Sequence, residues 1–226
     1  MAGNDHIVVK RTLLSEKARD NSGAIALLSA MVVTAVALLC WREYPELFSK
    51  LAAIPERVNE HQEYWRLVTA MGVHWDWRHL VSNAAFLALF SYLLYGYFGF
   101  WVYPFGVVVL GALTNYLALL TYPPEVRLLG ASGVTYLMAG FWLTIYILIE
   151  RSRSLRQRLL RSFGFGLIVL IPTTLQQNVS YRTHAIGFGL GAIMALLYFQ
   201  RKKKLIRTAE VVEWEEDPEE KGPYVM

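Results

Sequence analysis

Carboxylates are missing from the places where they would matter most. The 226-residue chain has 18 Asp and Glu residues. All of them lie outside the long apolar windows or at their edges, with Glu150 at the rim of one. That excludes an intramembrane pair of aspartates, a His-Glu-x-x-His zinc site and a buried carboxylate relay for protons or cations. Cysteine is almost absent. Cys40 stands alone inside an apolar run, so there is no internal disulfide and no thiolate metal cluster; it reads as a small apolar filler. Internal repeats are lacking, which argues against a small-solute transporter. The segment 1–23 is too polar for a secretory signal and too acidic for a transit peptide, and no lipidation motif is visible.

What is present is apolar. Hydrophobic residues make up 55% and charged residues 18%, against roughly 45–50% and about 25% in soluble domains. A membrane span needs roughly 20 apolar residues, and six windows qualify as candidates: 24–41, 79–97, 98–122, 130–149, 163–175 and 184–199. The fifth is short and contains Pro172, and a turn near Gly96 and Gly99 separates the second from the third. The fold class read from this pattern is an all-α polytopic membrane protein with six transmembrane helices. The expected organisation is a cytoplasmic N-terminal segment 1–23, a transmembrane domain 24–200 and a cytoplasmic tail 201–226.

Basic residues then set the orientation. Lys10, Arg11, Lys17 and Arg19 precede the first window. Arg151, Arg153, Arg156, Arg158 and Arg161 lie between the fourth and fifth, and Arg201, Lys202, Lys203, Lys204 and Arg207 follow the sixth. In a six-span topology these segments share one side, so both termini face the cytoplasm. The net charge of +4 therefore reflects membrane topology, with lipid and not nucleic acid as the expected contact. The first outer loop, 42–78, is long, and Tyr64, Trp65, Trp75 and Trp77 suit a lipid–water interface. The tail from Glu213 to Glu220 reads as a solvated acidic segment without fixed structure.

The polar residues at membrane depth are few. His79 and Asn83 are four residues apart and share a helical face, and His74 lies just before them. Ser132 sits in Gly130–Ala131–Ser132–Gly133, with Tyr136 one turn further on. His184 opens the sixth window, followed on its own face by Gly187 and Gly191, a seam of small residues that permits close helix packing. The second, fourth and sixth windows all run inward, so His79, Asn83, Ser132 and His184 fall in one layer near the outer face. A serine needs a base to become a nucleophile, and His184 can serve. Acyl transfer also needs donors for the developing oxyanion: Asn83, a ring N–H of His79 and the Ser132 backbone N–H at a helix start. With no carboxylate at depth, the inferred unit is a Ser–His dyad. Alone, Gly-x-Ser-Gly is a common helix-packing motif, and a histidine at a span start is commonly interfacial. The ordered set at one depth favours chemistry.

At this point the chain resembles a rhomboid intramembrane protease. The resemblance rests on Trp65–Arg66, on the run from His74 to Asn83, on Gly130 to Tyr136, and on His184–Ala185–Ile186–Gly187 with Gly191. It implies a six-helix rhomboid core, no cofactor and no metal. It implies that Ser132 attacks a peptide bond, that His184 acts as base and then acid, and that His79, Asn83 and the Ser132 amide form the oxyanion site. Tyr136 would pack on His184, and Trp65 and Arg66 would brace the first loop. Substrates would be single-span membrane proteins entering past the fifth span into a site open to the outer side. A prokaryotic plasma membrane is the expected location. Thr183 departs from the family's usual small apolar residue before the histidine. A non-proteolytic scaffold holding client helices is the competing reading, and the presence of both Ser132 and His184 argues against it.

Overall fold

The computed structural model describes residues 6–174 and 180–215. In chain order it contains strand β1 (His6–Arg11), helix α1 (Ser22–Arg42) and three short helices in the first loop: α2 (Glu46–Leu51), α3 (Pro55–Asn59) and α4 (Arg66–Thr69). Then come α5 (Trp77–Phe98), a widened turn at Trp101–Gly106 that leads into α6 (Val107–Leu119), α7 (Ser132–Ile149), α8 (Leu155–Thr174), α9 (Tyr181–Thr208) and strand β2 (Val211–Glu215).

Among the described residues, five helical segments are long and apolar enough to cross a membrane: Ser22–Arg42, Trp77–Phe98, Trp101–Leu119, Ser132–Ile149 and Tyr181–Thr208. The chain is thus an integral multi-pass membrane protein. The count of six expected from sequence is not reached on these criteria. The sixth long helix, α8, has 20 residues, but Arg156, Arg158 and Arg161 occupy its first two turns and lower its apolarity. Leu175, at the end of the expected fifth span, lies outside the described residues. The boundaries also move. The last helix runs nine residues past the expected Phe199, to Thr208, because Arg, Lys and Leu are all good helix formers. Gly96 stays helical, and Gly99, at φ +78°, ends α5.

The outside of the bundle is greasy. Leu27, Leu28, Met31, Val32, Leu38 and Leu39 are all exposed on α1, a distribution that in water would mark an interaction site and in a bilayer meets lipid. The interior is formed by Leu87, Phe90 and Leu94 of α5, Leu137, Phe141, Ile145 and Ile149 of α7, and Ala195 and Ile206 of α9.

α7 and α9 touch backbone to backbone. A Cβ on Gly187 would strike the Gly133 carbonyl, one on Gly140 the Phe188 carbonyl and one on Gly191 the Leu137 carbonyl. The expected seam of Gly187 and Gly191 is therefore half of a two-sided one, with Gly133 and Gly140 facing it.

The tail corrects one expectation. Its described part is not structureless: Val211–Glu215 pairs antiparallel with His6–Arg11, with Ile7 opposite Trp214 and Val9 opposite Val212. Val212 and Trp214 alternate with Glu213 and Glu215, a strand pattern that the acidic composition of the segment conceals. The rest of the acidic run, Glu216, Asp217, Glu219 and Glu220, lies outside the described residues.

Candidate active site

Two helix starts and a loop meet at one end of the bundle. Asp76 caps α5, its carboxylate accepting the His79 N–H at 2.9 Å, as an N-cap acid does. This fixes the first turn of α5, which carries His79, with Asn83 one turn below. Ser180 caps α9 in the same way, accepting the Thr183 N–H at 3.2 Å, and so sets the turn that carries His184.

Gly130 lies between these starts. Its φ of +100° suits glycine, and a Cβ there would stand 2.6 Å from His79 Cε1 and 3.0 Å from Nε2. The His79 ring thus lies on the bare backbone just before Ser132. Ser132 is the first residue of α7 and is half-buried. As a first-turn residue, its N–H has no intrahelical acceptor. Gly133 lets Thr183 close in, since a Cβ there would be 2.7 Å from Thr183 Cγ2. Tyr136, one turn beyond Ser132, stacks flat on His184, with ring centroids 3.9 Å apart and planes 10° apart. The Tyr136 hydroxyl donates to the Leu170 carbonyl at 3.1 Å, tying this pair to α8.

His184 is 4% exposed, and neither ring nitrogen has a hydrogen-bond partner. No hydrogen bond joins Ser132 and His184; what brings His184 against α7 is its stacking on Tyr136, one turn after Ser132. A buried imidazole with both nitrogens free is uncommon, because buried polar atoms are normally paired.

His74 is the structural centre of the loop. It is fully buried. Its Nδ1 bonds the Gly72 carbonyl at 3.1 Å, so Nδ1 carries the proton. Its Nε2 accepts from Asn83 Nδ2 at 3.3 Å and from the Ala131 N–H at 3.4 Å. One imidazole therefore joins the first loop, α5 and the residue before Ser132. Burial pushes its pKa down to about 4, with the neighbouring His79 adding to the shift. Asn83, 1% exposed, spends one amide N–H on His74 and keeps the other, while its Oδ1 is unpaired.

Arg66 holds the loop from below. It is 6% exposed. Its guanidinium donates to the carbonyls of Ser49 (2.9 Å), Lys50 and Ala52 (3.0 Å) at the end of α2, and to Glu63. That hydrogen bond holds the Glu63 carboxyl below its usual pKa. The guanidinium also sits over the Trp65 ring, 4.7 Å from its centroid.

Three hydroxyls missing from the expected site complete it. Tyr122 Oη meets Ser180 Oγ at 2.5 Å, and Ser180 Oγ meets Thr183 Oγ1 at 2.5 Å. Arg182 covers the Tyr122 ring and donates to the Thr121 carbonyl. This run of hydroxyls fastens the loop after α6 to the turn that carries His184. Its one signal in the sequence is the polar Thr183 beside the histidine. Among the described residues no group of three or more His, Cys, Asp or Glu side chains is arranged to hold a metal ion.

Comparison with known families matches residues 61–201 to the Rhomboid domain. Comparison with curated proteins finds no match.

Proposed function

The chain belongs to the rhomboid family, and from that premise we propose that it is an intramembrane serine endopeptidase working through Ser132 and His184. The observation that carries this reading is His184: buried, stacked on Tyr136, with both ring nitrogens unpaired beside the first turn of α7.

In the proposed reaction, His184 accepts the Ser132 proton as the hydroxyl oxygen attacks a substrate peptide carbonyl. The negative charge that develops on the substrate's carbonyl oxygen meets the free Ser132 N–H, the remaining N–H of Asn83 and a ring N–H of His79. His184 then passes its proton to the leaving amine, and the acyl-enzyme forms. Water attacks the ester, with His184 again taking and returning a proton. No carboxylate orients the imidazole. Tyr136 supports it by stacking instead, so the unit is a dyad. No cofactor enters any step.

The substrates we infer are single-span membrane proteins, cut within or near a transmembrane helix. The basic residues before α1, between α7 and α8 and at the end of α9 support a cytoplasmic position for the termini when α8 also crosses. The catalytic end then opens to the outer side, and a prokaryotic plasma membrane is the location we favour.

The test is cleavage of a single-span substrate with a small-residue juxtamembrane segment, in detergent or liposomes. Wild-type protein should cleave, and Ser132→Ala and His184→Ala should each lose about 10⁴-fold or more in rate. Cleavage that survives Ser132→Ala would remove this serine as nucleophile. Client-helix binding with no cleavage, and no labelling of Ser132 by a serine-directed fluorophosphonate, would favour a scaffold.

A further inference from the structure

The far end of the bundle carries a surface that the proposed chemistry leaves unused. α9 is longer than a membrane is thick. Its 28 residues rise about 42 Å at 1.5 Å per residue, against roughly 30 Å of hydrocarbon. Counted from Tyr181, roughly the first 20 residues cross the membrane and reach Gln200. The turns that follow stand in the headgroup layer.

Arg201, Lys202, Lys203 and Lys204 open that extension. All four are exposed, and among the described residues none pairs with a carboxylate. Their neighbour Arg207 behaves differently: it binds Glu210, which Arg151 also holds. The free cations are thus grouped, and the carboxylate closest to them in sequence is already neutralised.

Just past them lies the β1–β2 sheet. Strand alternation and the pairing register put Ile7, Val9, Val212 and Trp214 on one face and Val8, Lys10 and Glu213 on the other. Val9 is buried. Two strands cannot bury a residue by themselves, so the face that holds Val9 is turned toward the bundle. Thr12, just after β1, fastens the sheet there by donating to Glu150 Oε2 at 3.1 Å at the end of α7. Yet on the same face Ile7, Val212 and Trp214 are 56%, 50% and 69% exposed. The apolar face therefore continues past the part that the bundle covers.

We propose that this sheet and the Arg201–Lys204 collar form a docking surface for an anionic lipid leaflet. The four cations meet headgroup phosphates. Ile7, Val212 and Trp214 seat at the boundary of headgroups and acyl chains, where tryptophan is enriched. Basic clusters directly beside a span gain from anionic lipid in proportion to their charge.

The test uses the full chain in vesicles of phosphatidylcholine, with or without phosphatidylglycerol. A nitroxide is placed at Val212→Cys in a Cys40→Ala background, and a second preparation carries it at Leu197→Cys on the lipid face of α9. Collision with oxygen against a water-soluble nickel chelate reports immersion. At 212, phosphatidylglycerol should raise the oxygen-to-chelate ratio, and high salt should lower it again. Each cation changed to Gln should shift the balance between seated and unseated sheet about fivefold, and Trp214→Ser should shift it the same way. The label at 197 should remain oxygen-exposed throughout, which establishes that each variant is inserted. With that control intact, a label at 212 equally open to the chelate in both vesicle types overturns the proposal. So does immersion that ignores both phosphatidylglycerol and the loss of all four charges. The single change Lys203→Gln keeps the measurement available if the fourfold variant does not insert.

Discussion

The protonation state of His74 decides how the site responds to falling pH. Its Nε2 lone pair receives two N–H groups, from Asn83 and Ala131, and a proton there would break both bonds. The folded pKa is about 4 against an ordinary 6.5, so above pH 6.5 the ring is neutral folded or unfolded and contributes no pH dependence. Below 6.5 the unfolded chain takes up a proton that the folded chain refuses. Stability therefore falls as the pH drops toward 4, by an order of 3 kcal/mol from this group. Denaturant unfolding at steps between pH 7 and 4 should show the loss, and His74→Gln should flatten that part of the curve. Arg66 yields a second expectation. Removing a buried donor from the carbonyls of Ser49, Lys50 and Ala52 should cost about 2–3 kcal/mol, and Arg66→Lys should recover only part of it because an ammonium lacks the planar fork. Thermal unfolding of Arg66→Ala and Arg66→Lys beside wild type checks this. Both residues were visible in the sequence as members of a motif. Their partners were not, because carbonyls brought together by folding leave no trace in residue identity. Tyr122 and Ser180 were invisible for the same reason.

At the scale of elements, the α7–α9 contact is the most extensive among the described residues, and glycine is why. Close approach of two helices across small residues is a packing solution suited to lipid, but it leaves no room for error. At Gly191 an added Cβ would collide with the Leu137 carbonyl and come within 2.8 Å of the Leu137 carbonyl carbon and the Phe141 nitrogen. These are backbone atoms that no rotamer can move. Gly191→Ala should therefore destabilise by about 3 kcal/mol, the upper end for overpacking, whereas Gly189→Ala, with open space around it, should be close to neutral. Unfolding of the two variants in the same detergent makes the comparison. One side of this seam was legible from the spacing of Gly187 and Gly191. Gly140 was not, because a lone glycine in an apolar run carries no period. The helix boundaries were less legible still. α8 begins in a basic turn and α9 ends in one, and helix propensity carries both past the apolar limits that hydropathy sets.

At the scale of the molecule, the direction of α8 settles the topology. If α8 and α9 both cross the membrane, the segments before α8 and after α9 lie on one side. Single cysteines at Arg153 and Lys202, in a Cys40→Ala background, should then react with an impermeant maleimide from the same face of sealed vesicles. A cysteine at Arg127 should react from the other face. Opposite sidedness of 153 and 202 would mean that α8 does not cross. The multi-pass class was readable from apolar windows alone, since a bilayer leaves little choice of architecture. The β1–β2 sheet was not, because its partners are separated by nearly the whole chain and pairing at that distance has no local signature.

That sheet also has a consequence for biosynthesis. β1 is made before α1 and β2 after α9. Throughout synthesis the first strand therefore waits with its edge open, and an open edge invites pairing with another chain. Only a chain that includes β2 can pair it. A product truncated within or before α9 would keep that edge unpaired, so the presence of Val211–Glu215 separates a paired first strand from one open to a second chain.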